Sequence, residues 1–110
     1  MVDMHEARQI AFDTAQSQCP FAIEIIDMET REESFGWVFF YQRAEPPHGL
    51  VGNAPIIVDR ETGRPSVTGT SYPIDWYVHA YRELGQTRFD ARDWRQFIQG
   101  AYLSTDDVDE

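Results

Sequence analysis

The sequence predicts an α+β domain: an N-terminal helix, a four-stranded antiparallel sheet and two C-terminal helices packed against it. Three observations lead there. Apolar residues near the start recur with a helical period, residues 21 to 69 hold four strand-like runs separated by turn chemistry, and residues beyond 73 return to helical spacing. An order of α-β-β-β-β-α-α, with no internal repeat, is that of a sheet covered by helices.

Asp3 followed by Glu6 makes a helix start, because the first carboxylate can accept from orphan amides and the second suits the positive end of the helix dipole. Ala7, Ile10, Ala11, Thr14 and Ala15 then fall on one face, and Pro20 stops the helix, which is expected over residues 3 to 18. FAIEIIDM alternates Phe21, Ile23 and Ile25 against Ala22, Glu24 and Ile26, a strand pattern. DMETREE at 27 to 33 sets four acids against one arginine and reads as a solvated loop or a docking patch.

FGWVFFYQ is apolar on both sides of its pleat, with Phe35, Trp37, Phe39 and Tyr41 on one side and Val38 and Phe40 on the other. Such a strand belongs inside a sheet or is covered twice, so the core is placed here. AEPPHGLVGN at 44 to 53 is a Pro/Gly crossing segment. PIIVD and PSVTG flank RETGR as two antiparallel strands, with Gly63 supplying the positive φ of the turn.

Pro73 opens a second helix whose buried stripe is Ile74, Tyr77, Val78, Tyr81 and Leu84, and Gly85 closes it. Trp76 falls outside that stripe: it is either an interface anchor or a residue packed against the third helix. Asp90, with Asp93 behind it, starts that third helix, and Trp94, Phe97, Ile98 and Ala101 share its apolar face. Residues 1–105 then form a single domain, and 106–110 an acidic, disordered tail containing Asp106 and Asp107.

Composition narrows the function. The 110 residues suit one domain, and 14% aromatic content is ample for a packed core. Nine arginines face nineteen acids with no lysine, a net charge of −10, which repels phosphate backbones and anionic membranes and favours a basic partner. Without lysine there is no Walker A loop and no Schiff-base nucleophile. The acidity lies in residues 1 to 45 and in the tail; 46 to 105 balance. A single cysteine, no basic-then-apolar leader and no long apolar run make a cytoplasmic location the expectation.

Motif by motif, the chain offers little catalytic chemistry. His5-Glu6 begins an H-E-x-x pattern, but Gln9 stands where the second zinc-binding histidine is needed, and His48 and His79 have no partner at ligand spacing. Cys19 sits at a helix end, where the dipole opposes a thiolate, and Ser66 and Ser71 lack a nucleophile elbow. Asp59 and Glu61 suit a turn better than a glycosidase cleft. Gly49 and Gly52 make a bare G-x-x-G with no basic neighbour, and Trp37, Phe39 and Tyr41 suit a core better than a base-stacking platform. No enzyme, cofactor or metal is therefore expected.

Three blocks in order resemble the YrhB-like family, also called immunity protein 35. Phe35, Gly36, Trp37, Phe39 and Tyr41 match the first; Gly52, Asn53, Pro55, Ile56, Val58, Asp59, Thr62 and Gly63 the second; Gly69, Thr70, Tyr77 and Tyr81 the third. The resemblance spans about residues 3 to 84 and omits the third helix and the tail. It implies an immunity protein of a bacterial polymorphic-toxin system that blocks a cognate toxin by direct binding, with no active-site residues to carry over. Excess charge points to Asp27, Glu29, Glu32, Glu33, Asp106 and Asp107 as partner-binding, with Trp76 as a candidate anchor. The alternatives are a small acidic chaperone-like module for several partners and a small hydrolase with a buried acid pair.

Overall fold

The computed structural model describes residues 1–48, 54–70 and 72–87. Helix α1 (Met4–Ser17) begins where Asp3 and Glu6 cap each other: the Asp3 carboxylate accepts from the Glu6 amide at 2.8 Å, and the Glu6 carboxylate from the Asp3 amide at 3.1 Å. Two orphan donors are thereby satisfied, an arrangement that stabilises a helix by about 1 kcal/mol. Ala7, Ala11 and Ala15 make its fully buried seam. Side chains this small let the helix lie close against the sheet, so the strands supply the bulk.

Six strands follow where four were expected: β1 (Ile23–Ile25), β2 (Arg31–Glu33), β3 (Gly36–Phe39), β4 (Tyr41–Arg43), β5 (Ile56–Asp59) and β6 (Pro65–Val67). All pairings are antiparallel. They form a two-stranded β1-β4 sheet and a four-stranded sheet ordered β2-β3-β5-β6. The single four-stranded sheet expected from the sequence is thus corrected in membership. Residues 31–33, read as loop, are its edge, while residues 23–25 of the expected first strand belong to a separate arm. The 35–42 run is broken at Phe40, so that β3 pairs with β2 and β5 while β4 turns away to β1.

Gly36 explains a second departure. With φ of 153° it interrupts the regular alternation, and Phe35, expected beside Trp37 and Phe39, instead packs with Val38 and Phe40 on the opposite face. A Cβ built on Gly36 would run into the Val58 carbonyl oxygen, so the β3-β5 contact requires glycine here.

Trp37, Phe39, Ile56 and Val58 pack under α1 with Ile23, Ile25 and Tyr41 from the small sheet. Val38 and Ile57, on the other face, meet Val78 and Tyr81 of helix α2 (Ile74–Leu84). Strands β3 and β5 are therefore covered on both faces, which is why their sequences lack polar alternation. Gly85 ends α2 in the left-handed conformation at φ 72°, its amide bonded to the Tyr81 carbonyl at 2.8 Å. Leu84, assigned to the buried stripe, is 53% exposed because it falls in the last turn, past the sheet contact. Gly63 takes φ 74° in the β5-β6 turn, as expected.

The expected third helix and the acidic tail, with Asp106 and Asp107, lie outside the described residues. No helix among the described residues is long and apolar enough to cross a membrane.

Candidate functional site

The 27–33 segment is not a simple loop. Asp27–Glu29 form one 3-10 turn and Arg31–Glu33 form the edge strand β2. Register shows how the turn arises. Ile25 faces Tyr41 and Arg31 faces Val38, so five residues on one side span the same stretch as Phe39 and Phe40 on the other. Three residues are in excess, and they are Asp27, Met28 and Glu29. The turn is closed at its root by Ile26 N–H to Phe40 O at 2.8 Å, Glu29 N–H to Ile26 O at 2.9 Å and Thr30 N–H to Asp27 O at 3.2 Å.

Each expected contact residue meets a different fate. Asp27 accepts both Nε and Nη2 of Arg8 on α1, at 2.7 and 3.0 Å. The hydrogen bond from Arg8 holds its carboxyl below the usual range, and Arg8 is raised in return. Glu29 is exposed, and its carboxylate has no ion-pair partner among the described residues. Glu32 is exposed and accepts from Arg60 at 3.1 Å. Arg60 also donates to the Glu33 carbonyl and lies over the Trp37 ring at 4.5 Å, so it pins the β2 edge to the β5 end.

Glu33 turns inward. Its side chain is only 14% exposed and bridges Arg31 at 3.0 Å and Arg82 of α2 at 2.7 Å. Arg31 reaches Asp75, at the start of α2, at 2.9 Å. Burial opposes the Arg31 charge, but bonds from Asp75 and Glu33 outweigh it and raise its pKa. Glu33 is thus the strut between β2 and α2, while Glu29 and Glu32 face solvent. Arg31, Asp75 and Arg82 escaped the sequence reading because Asp75 and Arg82 lie 44 and 49 residues from their partners, with no local signal.

Trp76 is half-buried and stacked on Tyr72, ring centroids 5.1 Å apart, within an apolar cluster with Tyr77 and Ala80.

On the opposite edge of the four-stranded sheet, Arg64, Pro65, Ser66, Val67, Gln86 and Thr87 line an open groove of about 390 Å³. It contains none of the expected site residues. Among the described residues no three His, Cys, Asp or Glu side chains gather as a metal site.

Beside β6, Tyr81 donates to Asp59 Oδ2 at 2.9 Å, while Asp59 Oδ1 accepts the Glu61 and Thr62 amides at 2.8 and 3.1 Å. Burial and the neighbouring Asp59 push the Tyr81 phenol up to about 12. Asp59 is opposed by burial, yet its bonds from Tyr81, Thr62 and Glu61 hold it below the usual range. An acid so fully engaged is built to hold a turn and a helix in place.

No family model, curated protein or solved structure matches the chain.

Proposed function

We propose that the chain is an immunity-type binding protein, neutralising a bacterial toxin by direct contact between its acidic edge and a basic surface or active site. One observation carries this reading: among the described residues acids outnumber arginines about two to one, and four of the six arginines are taken up in ion pairs within the chain. Thirteen Asp and Glu stand against six Arg in the described residues. Arg8, Arg31, Arg60 and Arg82 are held in intramolecular ion pairs, and Arg43 lies over the Phe21 ring at 4.3 Å. The carboxylates that remain set the outward field, and a field of one sign accelerates capture of an oppositely charged partner.

The family blocks support the same reading by occupying the scaffold. Gly36, Trp37 and Phe39 lie in β3, Ile56, Val58 and Asp59 in β5, and Tyr77 and Tyr81 in α2. Such residues hold a frame and leave the exposed edge to recognition. A multi-partner chaperone would present broad apolar area; the exposed large apolar side chains among the described residues are Met1, Met4, Met28 and Leu84.

The test is co-expression with the product of the reading frame beside its gene. A co-purifying complex and rescue of growth are expected. A toxic product that neither binds this chain nor is silenced by it overturns the reading.

A further inference from the structure

We infer that the three-residue excess Asp27-Met28-Glu29 is a contact element that the fold does not need, and that Met28 enters an apolar recess ringed by basic side chains on the partner. The inference rests on the toxin-binding reading and says which atoms perform it. Its first ground is the register. Were the triplet absent, Ile26 would sit opposite Phe40 and Thr30 opposite Phe39, and β1-β4 would run directly into β2-β3 as one hairpin. The bond from Ile26 N–H to Phe40 O already belongs to that uninterrupted ladder. An insertion that interrupts a continuous pairing costs ladder bonds and contributes no core, and such bulges re-aim side chains at sheet edges.

The second ground is Met28. It is 97% exposed, the most exposed large apolar side chain among the described residues. An unbranched thioether adapts its shape to irregular recesses, which suits a partner-facing position. The third is bracing. The turn is closed by its own backbone bonds, and the bidentate Arg8–Asp27 pair ties it to α1. Little order remains to be lost when a partner arrives.

The three residues thus divide the work. Asp27 is spent on Arg8 and acts as a brace, Met28 is the contact, and Glu29, which has no ion-pair partner among the described residues, sets the sign of the surface it meets. Beyond the bulge, β2 has no strand on its outer side among the described residues.

The experiment compares three proteins against the toxin domain encoded beside the gene: the native chain, a chain with residues 27–29 excised, and Met28→Ala. Circular dichroism and thermal melts report folding, and biolayer interferometry reports binding. The excised chain is expected to keep its spectrum and lose at least ~100-fold in affinity, and Met28→Ala to lose ~10-fold, chiefly through faster dissociation. Full-affinity binding by Met28→Ala overturns the inference, as does full-affinity binding by a folded excised chain. Should excision unfold the protein, the claim that the fold does not need the triplet is overturned and Met28→Ala alone decides the contact. A native chain that fails to bind overturns the toxin-binding reading itself, a result distinct from binding that ignores the bulge.

Discussion

Tyr81 of α2 donates its phenol hydrogen to Asp59 at the end of β5 across 2.9 Å, fastening the helix on one face of the sheet to the turn at its edge. Removing that hydroxyl with Tyr81→Phe leaves the ring packing and the two amide bonds to Asp59 in place. A loss of about 1–2 kcal/mol is expected in urea unfolding at neutral pH. Tyr81 has a raised folded value of about 12, so its contribution is complete below the unfolded value near 10 and is lost as pH climbs from there to 12. Stability of the native protein should fall across that alkaline window, and Tyr81→Phe should flatten the fall.

The acid limb has the opposite sign. Asp59 is held below its usual value of 3.8, so it stabilises above that pH and ceases to do so as pH drops through its lower folded value. Asp59→Asn should be less stable near neutrality and should lose less on acidification below about pH 4 than the native chain. Parallel acid limbs for the two proteins would show that Asp59 contributes nothing there.

Gly36 tolerates no side chain. A Cβ would meet backbone at the Val58 carbonyl, which belongs to the central β3-β5 pair and has nowhere to move. Gly36→Ala should cost about 3 kcal/mol or more in chemical denaturation. A cost under about 1 kcal/mol would mean the strands part easily at this point.

Glu33 and Glu29 lie four residues apart, one turned inward between two arginines and the other exposed. Glu33→Gln should lose about 1–2 kcal/mol, since it removes the largely buried charge that bridges Arg31 and Arg82, although Arg31 keeps Asp75. Glu29→Gln should lie within about 0.5 kcal/mol of the native protein. Association with the proposed toxin partner should respond the other way round. Glu29→Arg with Glu32→Arg should slow the on-rate at low salt and flatten its salt dependence, and an unchanged on-rate would remove this edge from the interface.

Local chemistry was the legible part of this chain. The Asp3–Glu6 box, the alanine seam of α1, the turn at Gly63 and the stop at Gly85 all depend on residues within a few positions of one another. The two-faced core run was also readable, because uninterrupted apolar residues have no other home. Pairing was harder. REE at 31–33 carries no apolar residue, and its strand exists only because β3 offers a ladder to join. Phe35 changed faces because glycine at 36 breaks the alternation, a backbone fact that residue types do not announce. At the candidate site, charge density singled out the 27–33 segment but could not show that Glu33 turns inward, because Arg82, one of its two partners, lies 49 residues away.

The placement of α1 has a last consequence, for motion. The helix packs against β1 of the small sheet as well as β3 and β5 of the large one, with its buried row of alanines at the centre and Ile10 and Phe12 beside it. The arm therefore cannot swing away from the main sheet without exposing that row, and its opening is coupled to the helix. Amide hydrogens of Ile23–Ile25 and of the middle of α1 should exchange with deuterium at one shared opening free energy, while those of β3 and β5, covered from both sides, exchange last.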